Sequence, residues 1–262
     1  MADVTVVSLN IRGIPLTGSR LAARCQAIGA YFEASDADVV CLQEVATWAH
    51  LALLTRRMRS FRYVSLHRTV SGPAGDVVTF SRLPVTTTAF HRYGPVHAAI
   101  PRLARLRARL KGALLTTLEQ PAVSVINTHP LANTDGDWSE GSRFEPAHRA
   151  QLGALARTVG SLPVPTVVCG DFNIDRDSAL FGDFIKQTML ADAFEGRCPP
   201  TFRAEYLPAG RRPCCIDFIL TTGEVKVSAA DVVLTGEQPM RGAPGYVSDH
   251  VGLRARLHVL GA

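Results

Sequence analysis

The sequence predicts a layered fold of the α/β or α+β class, formed by a single domain that spans residues 1–262. Short apolar runs rich in Val and Ile recur along the chain, and each is closed by turn residues, as buried strands are. Fewer stretches carry apolar residues at helical spacing. Hydrophobic residues make up 47% of the 262 residues, which is enough for a sizeable core. Many strands with few helices, and no internal repeat or linker, fit one layered domain.

Eight apolar runs predict strands. In chain order they cover residues 4–9, 39–42, 77–80, 113–118, 123–127, 164–169, 216–220 and 251–259. Helical spacing predicts three helices, at residues 19–33, 146–159 and 177–187. The second of these opens with Glu145-Pro146, a common way for a helix to begin.

Two segments fit neither pattern. Residues 91–111 form a long connection in which Leu103, Leu106 and Leu110 fall on one helical stripe edged by arginines. This stripe either packs on the body of the protein or lies on an anionic membrane surface. Residues 131–144 form a polar stretch that carries Trp138. Long loops within compact domains are often functional, so both segments are candidates for substrate or surface contact.

Charge and cysteine content narrow the function classes. Lys and Arg total 28 against 23 Asp and Glu, for a formal net charge of +5, which suits a phosphate-bearing partner without requiring one. The six cysteines show no zinc-ligand spacing with histidine, and we expect reduced thiols. The first residues resemble a strand rather than a signal segment, and no apolar run is long enough for a transmembrane segment. We therefore expect a cytoplasmic, monomeric protein.

Polar side chains that can bind metal or move a proton stand at the ends of the predicted strands. They are Asn10 in SLNI, Glu44 in CLQEV, His129 in INTHP, Asp171 and Asn173 in CGDFN, Asp217 in CIDFIL, and Asp249 and His250 in SDH. Taken singly, each has an ordinary interpretation as a turn residue, a helix cap or a hydrogen-bonded core side chain. Together they supply the hard oxygen ligands that Mg²⁺ prefers, and two histidines of suitable basicity.

Seven motifs, in order along the chain, resemble the endonuclease/exonuclease/phosphatase superfamily. That superfamily includes DNase I-like nucleases, apurinic endonucleases, inositol polyphosphate 5-phosphatases and neutral sphingomyelinases. The motifs are SLNI, LQEV, FSRLPV at 80–85, NTHP at 127–130, GDFN at 170–173, IDFIL at 216–220 and SDH at 248–250. The resemblance implies a four-layer sandwich of two packed mixed β-sheets with helices on the outer faces. It also implies an active site where the strand ends of both sheets meet.

The resemblance further implies a phosphoester hydrolase that uses Mg²⁺, with Mn²⁺ as the alternative metal. Glu44 is implied as a metal ligand, with Asn10 and Asp249 in support. The implied catalytic residues are His129, Asp171, Asn173, Asp217 and His250. The family offers two possible general bases, Asp171 and His250, and the sequence leaves that choice open.

The expected substrate is a phosphodiester carried by a phospholipid or a small molecule. The segments LKGALLTTLE, THPLANTDGDW and HRAQL resemble the sphingomyelinase-like branch of the family, which implies Asn133, Trp138 and Arg143 as substrate contacts. A nuclease acting on DNA or RNA is the alternative, because arginines at 56–62 and 211–212 could follow a phosphate backbone. A non-catalytic phosphate-binding module is a third hypothesis, and it predicts losses among the site residues that the sequence does not show.

Three features depart from the family pattern. Arg12 stands where several nucleases carry an acid. Asp76 stands where Gly or Asn is frequent, and a carboxylate that faces the site repels a phosphate or recruits a second cation. The tyrosine that apurinic endonucleases place between the His and GDFN motifs has no clear match, which weighs against a DNA-repair role.

Overall fold

The computed structural model describes residues 2–13, 19–96, 100–163 and 165–260. The strands of this part of the chain are β1 (Ala2–Asn10), β2 (Val39–Gln43), β3 (Tyr63–Ser65), β4 (Val78–Ser81), β5 (Val85–Arg92), β6 (Gly112–Leu118), β7 (Ser124–Thr128), β8 (Thr166–Asp171), β9 (Ala191–Asp192), β10 (Asp217–Thr221), β11 (Val225–Val233) and β12 (Gly252–Val259). The helices are α1 (Leu21–Glu33), α2 (Trp48–Thr55), α3 (Arg102–Ala108), α4 (Glu145–Gly160) and α5 (Ala179–Thr188). Short 3₁₀ turns occur at Ala74–Asp76 and Ala204–Tyr206.

The strands form two six-stranded mixed sheets. The first has the order β11-β12-β1-β2-β4-β3, and the second has the order β5-β6-β7-β8-β10-β9. Each sheet contains one parallel pair near its middle, β1 with β2 and β7 with β8, while the remaining pairs are antiparallel. Helices cover the outer faces of both sheets, which confirms the predicted four-layer α/β sandwich.

Strict alternation along the central strands explains the layers. In β1, Val4 and Val6 belong to the core between the two sheets, whereas Val7 and Leu9 pack on the opposite face. Successive strand residues point to opposite faces, so an all-apolar strand must be covered on both sides. On the outer face of the first sheet, that cover includes Phe32 of α1.

The strand directions gather the polar motif residues at one edge of the sandwich. Parallel strands β1 and β2 end there at Asn10 and Gln43, and parallel strands β7 and β8 end there at Thr128 and Asp171. Strand β10 runs antiparallel to β8 and begins at Asp217, which pairs directly with Asp171. Strands β1 and β8 contact each other across the two sheets, and the hydrogen bond from Asn10 to Asp171 lies at this edge.

A buried amide pair links the two sheets just below that edge. Gln43 Nε2 donates to Asn127 Oδ1 at 2.8 Å, and Asn127 Nδ2 donates to the backbone oxygens of Leu42 and Val78 at 3.1 and 3.0 Å. Both side chains are fully buried. Hydrogen bonds between buried polar groups are strong in the low-dielectric core and favour one arrangement of the elements that they join, although Gln43 Oε1 has no partner among the described residues. Asn127, the asparagine of the NTHP motif, thus has a structural role, because it holds the two sheets in register at the base of the site.

All eight predicted strands are present, with ends shifted by at most two residues where they can be compared; residue 164 of the sixth lies outside the described residues. The three predicted helices correspond to α1, α4 and α5. Helix α3 lies in the segment whose leucines fall on a helical stripe, whereas strands β3, β5, β9 and β11 and helix α2 have no predicted counterpart. Among the described residues, no helix is both long and apolar enough to span a bilayer.

Candidate active site

Asn10 stands at the centre of the polar cluster and joins its two halves. Its Nδ2 donates to Glu44 Oε1 at 3.1 Å and to Asp171 Oδ2 at 2.9 Å. Its Oδ1 accepts the backbone N–H of Arg12 at 2.9 Å, which fixes the orientation of the amide. One side chain from the first sheet therefore positions carboxylates that follow strands of both sheets.

Glu44 follows β2 in a left-handed conformation, with φ at 62°. Its Oε2 is buried and has no hydrogen-bond partner among the described residues. Burial raises the pKa of Glu44, although the hydrogen bond from Asn10 opposes that effect. Gly13 permits this arrangement, because a Cβ on Gly13 would lie 1.7 Å from the backbone oxygen of Glu44. A buried carboxylate oxygen without a hydrogen-bond donor costs free energy unless it binds a cation.

His250 lies between two buried carboxylates. Its Nδ1 is 2.8 Å from Asp217 Oδ2, and its Nε2 is 3.8 Å from Asp171 Oδ2. Burial alone lowers the pKa of His250, but the charges of Asp217 and Asp171 outweigh burial and raise it to about 10. Burial and the Asp217 carboxylate raise the pKa of Asp171 to about 7. At neutral pH His250 is therefore an imidazolium.

Gly170 brings Asp171 close to the end of β7. A Cβ on Gly170 would lie 1.9 Å from the backbone oxygen of Thr128, and its φ of 145° is rarely adopted by residues with side chains. Only glycine allows the two parallel strands to approach so closely here. As a result, His129 Nε2 lies 3.7 Å from Asp171 Oδ2.

His129 has an unexpected partner in Lys111. Lys111 Nζ lies 2.9 Å from His129 Nδ1 and 3.5 Å from Asp76 Oδ2. Burial, and then the Lys111 ammonium, lower the pKa of His129 well below its usual value. Because the ammonium can only donate, Nδ1 accepts and the proton of the neutral ring sits on Nε2. The carboxylate of Asp76 pairs with the same ammonium. This ion pair offsets the repulsion between Asp76 and a substrate phosphate that the sequence suggested.

Asn173 and Trp138 brace each other beside Asp171. The Asn173 backbone N–H donates to Asp171 Oδ1 at 2.8 Å, and Asn173 Nδ2 donates to the Pro130 oxygen at 3.2 Å. Trp138 Nε1 donates to the backbone oxygen of Asn173 at 3.0 Å. The indole thus anchors the loop, and Trp138 also lines the cleft described below.

The other two predicted substrate contacts shape the same loop. Asn133 donates to the Asp137 oxygen at 2.8 Å and accepts the backbone N–H of Asp135 at 3.1 Å. Arg143 forms a two-pronged ion pair with the Asp135 carboxylate. Asn133 lines the cleft, whereas Arg143 is not among the described residues that line it.

Asp249 pairs with the basic residue that departs from the family pattern. Arg12 Nε lies 3.3 Å from Asp249 Oδ2, and the Arg12 guanidinium stacks on the Tyr206 ring at 4.4 Å. Ser248 Oγ donates to the Asn10 backbone oxygen at 2.6 Å and so ties this segment to β1. The position that carries an acid in several nucleases here supplies a positive charge beside Asp249.

The cluster opens into a cleft of about 560 Å³. Its floor contains Glu44, Asp171, Asn173, Asp249 and His250. Its walls come from the 131–144 loop and from the segment 202–216, and they include Trp138, Phe202, Tyr206, Leu207, Arg211 and Arg212. An acidic floor beside a mixed apolar and basic wall suits a substrate that joins a phosphate to a larger group.

Sequence reasoning missed two residues that support this floor. The sequence places Lys111 in a Lys-Gly strand motif and on the border of the leucine stripe, and neither feature indicates its contact with His129. Thr201 is fully buried, and its Oγ1 accepts the backbone N–H groups of Ile216 and Asp217 at 3.0 and 3.1 Å. Thr201 lies in a loop, and no local pattern marks it.

Two parts of the floor could hold a cation. Asp171, Asp217 and His250 each place one ligand atom within 4.8 Å of the others. However, the charged ring of His250 offsets only one of the two carboxylate charges, and it cannot ligate a metal through a protonated nitrogen. Glu44 offers the better position, because its buried Oε2 has no donor among the described residues. The donor set of carboxylate and amide oxygens fits a hard divalent cation.

Two packed mixed sheets of this arrangement also occur in solved structures of other proteins. Solved structures with this fold include TDP2 from D. rerio in complex with a single-strand DNA product, at 15% identity and a TM-score of 0.75 over 99% of this chain and 100% of that chain. Sphingomyelinase C from Streptomyces griseocarneus matches at 17% identity and a TM-score of 0.70, over 98% and 99% of the two chains. A beta toxin variant from Staphylococcus aureus with bound magnesium ions matches at 19% and 0.69, over 97% and 99%.

A comparison of the sequence with family models identifies the family. Residues 7–250 match the model of the Endonuclease/Exonuclease/phosphatase family, so the chain belongs to that family. No match was found among the curated proteins. The resemblance seen in the motifs is thereby confirmed, and the protein is a hydrolase of phosphoester bonds. At these low identities, the solved structures show a shared fold and do not identify the substrate of this protein. The proposed substrate is therefore argued from the residues that line the cleft.

Proposed function

We propose that the protein is a Mg²⁺-dependent phosphodiesterase that cleaves a phospholipid or small-molecule phosphodiester by in-line attack of water. One observation carries the proposal. The buried cluster of Asp171, His250 and Asp217 lies beside Glu44, whose Oε2 has no partner among the described residues. A phosphodiester needs its negative oxygens neutralised and its attacking water deprotonated, and this cluster has groups for both tasks.

Asp171 is the proposed general base. Its Oδ1 accepts from the Asn173 backbone and its Oδ2 accepts from Asn10, so the carboxylate is held in place. A pKa of about 7 lets Asp171 take a proton near neutral pH. His250, held as a cation by its two carboxylate neighbours, is less suited to accept a proton. We assign His250 to binding a non-bridging phosphate oxygen, with Asp217 holding its ring.

His129 is the proposed second donor to the phosphate. With its Nδ1 bound to Lys111, its Nε2 carries the proton and points toward Asp171 Oδ2, at 3.7 Å. A neutral donor in this position stabilises charge that develops on the phosphate in the transition state. Asn173, braced by Pro130 and Trp138, helps to hold the substrate phosphate.

Glu44 is the proposed Mg²⁺ ligand, supported by Asn10 and Asp249. Bound there, Mg²⁺ supplies charge neutralisation and polarises the phosphoester. Arg12 neutralises part of the Asp249 charge, so the site has less acidic charge than one with an acid at position 12. The S. aureus relative contains bound magnesium ions, which supports the choice of metal. Mn²⁺ is expected to substitute, since it accepts the same oxygen ligands.

The wall of the cleft favours a lipid or small-molecule diester over a nucleic acid. It combines Trp138, Phe202 and Leu207 with Arg211 and Arg212. Arg211 is engaged by the backbone oxygens of Asp135 and Gly136. The other basic group that suggested a nuclease, at residues 56–62, is not among the described residues lining the cleft. The cleft therefore offers few basic side chains that could contact successive phosphates of a nucleic acid.

A substrate panel tests the proposal. Turnover is measured with Mg²⁺ and with EDTA on choline phospholipids in micelles, bis(p-nitrophenyl) phosphate, cyclic nucleotides, RNA, and single- and double-stranded DNA. We expect the highest kcat/KM on a lipid or small diester, and loss of that activity in EDTA. Glu44→Gln should abolish it, whereas the exposed control Glu119→Gln should not. Preferred cleavage of nucleic acid supports the nuclease instead, and turnover that survives EDTA contradicts the metal assignment.

A further inference from the structure

Helix α3 exposes a leucine stripe that the fold leaves uncovered. Leu103, Leu106 and Leu110 are 59%, 57% and 55% exposed. At 100° per residue, the three side chains fall within an arc of about 60° along α3 and the turn that follows it. Isolated exposed leucines are common, but three on one face of one short helix form a patch.

The opposite face of α3 already supplies the packing that holds the helix. Ala108 is fully buried, and it packs with the half-buried Ala104 against Leu131, Phe144 and Ala147. Alanines allow α3 to lie close to the start of α4, and the larger leucines then face outward. The leucine stripe is therefore not part of the core of the described structure.

Arginines flank the leucine stripe. Arg102, Arg105, Arg107 and Arg109 are all exposed, and none forms an ion pair within the described part of the chain. The sequence has no Asp or Glu anywhere between residues 77 and 118. An apolar stripe bordered by exposed arginines that form no ion pair among the described residues matches the headgroup layer of an anionic membrane.

We propose that α3 docks the protein on anionic lipid membranes, with Leu103, Leu106 and Leu110 entering the interface and the flanking arginines contacting lipid phosphates. A nucleic acid would satisfy the arginines but would leave the three leucines against a charged backbone. A second copy in a symmetric dimer would cover the leucines, but it would place two sets of arginines against each other.

The position of α3 connects docking to the cleft. Leu131 and Phe144, which pack under α3, are the two ends of the loop whose residues Asn133 and Trp138 line the cleft. At its other end, α3 leads into Lys111, which contacts His129. Docking through α3 would hold one wall of the cleft near the lipid surface. This consequence for substrate choice rests on the proposed function, whereas the docking itself does not.

Vesicle binding in EDTA tests docking apart from catalysis. The full chain is sedimented with phosphatidylcholine vesicles, with and without phosphatidylserine. We expect binding that requires phosphatidylserine and weakens with salt. Leu103→Ser with Leu106→Ser should reduce the partition coefficient about tenfold or more, and Arg105→Gln with Arg109→Gln should reduce it by roughly fivefold per arginine.

Matched variants make the test specific. Val70→Ser changes a fully exposed apolar residue elsewhere, and Arg56→Gln with Arg59→Gln removes the same charge from another exposed site; both should keep wild-type binding. All variants should keep their melting temperature and their turnover of soluble bis(p-nitrophenyl) phosphate. No wild-type binding to phosphatidylserine vesicles, or equal losses in the controls, overturns the proposal.

The competing occupants give different results. Retention of a double-stranded DNA fragment that depends on Arg105 and Arg109, without vesicle binding, would identify a nucleic-acid surface and overturn the proposal. A wild-type dimer in sedimentation velocity that the leucine variant dissociates, without vesicle binding, would do the same. Vesicle binding by a protein that cleaves no diester leaves docking intact and refutes only the proposed function.

Discussion

Asp217→Asn should convert His250 from a permanent cation into a group that titrates near neutrality. In the wild type, Asp217 Oδ2 lies 2.8 Å from His250 Nδ1 and is the first of the neighbouring charges that raise the pKa of His250 to about 10. The substitution keeps the shape and the hydrogen-bonding oxygen but removes the charge. Loss of one adjacent negative charge lowers the pKa of a histidine by about 1–3, so we expect the pKa of His250 to fall by about 2.

The consequence appears on the alkaline side of the pH–rate profile. If His250 must be protonated to bind the phosphate, activity falls as pH rises through its pKa. The alkaline limb of kcat/KM should therefore move to lower pH by about 2 in Asp217→Asn. Mg²⁺ bound at the proposed site would lower the pKa of His250 in both proteins, so the difference between the two profiles is the quantity to compare.

A second readout and a matched control separate this effect from simple damage. The ring resonances of His250, followed by NMR in EDTA, should titrate at lower pH in Asp217→Asn. Asp175→Asn removes another carboxylate that lines the cleft but does not bond to His250, and its alkaline limb should stay near the wild-type position. An alkaline limb that is unmoved in Asp217→Asn would refute the cationic role of His250.

Three further changes test other parts of the site. Glu44→Gln should abolish Mg²⁺ binding measured by calorimetry. In the wild type, the affinity for Mg²⁺ should fall as pH decreases, because burial raises the pKa of Glu44 and protonation removes the charge of its carboxylate. Lys111→Met should lower kcat by about 10- to 100-fold with little change in KM, because Nδ1 of His129 loses the donor that fixes its tautomer; a change in KM alone would contradict this role. Thr201→Val should lower the free energy of unfolding by about 2–4 kcal/mol, since it leaves two buried backbone N–H groups without an acceptor. Thr116→Val is its control and should be nearly neutral, because the buried Thr116 hydroxyl has no partner among the described residues; equal losses in urea denaturation would contradict the reasoning.

Buried strands were predictable because period and composition mark them strongly. The central strands of both sheets are continuous apolar runs, as β2 and β8 show, and the polar residue after each run marked the edge of the site. Edge strands were missed for the opposite reason. Strand β5 has a largely exposed sequence, VTTTAFHR, and β11 alternates with polar residues at the border of its sheet. A strand that is half exposed lacks an unbroken apolar signal.

The site was predictable only as far as its residues belong to motifs. Lys111 reaches His129 because antiparallel pairing of β6 and β7 brings distant positions together, and Thr201 supports Asp217 from a loop. Neither contact leaves a local pattern. The sequence did not determine which face of α3 is buried, because alanines and leucines occupy opposite faces of the helix. In the structure the alanines pack on the body of the protein and the leucines are exposed. The cytoplasmic location, the monomeric state and the single-domain boundary stay predictions.

A double-mutant cycle on a soluble diester tests the central claim that Asp171 and His250 act in one metal-dependent centre. Turnover of bis(p-nitrophenyl) phosphate is measured at saturating Mg²⁺ for the wild type, Asp171→Ala, His250→Ala and the double variant. Each single change should lower kcat/KM by roughly two to four orders of magnitude. The double variant should be far less impaired than the product of the two losses, because both groups serve one transition state. Losses that multiply fully, or single variants that retain wild-type turnover, would contradict the account.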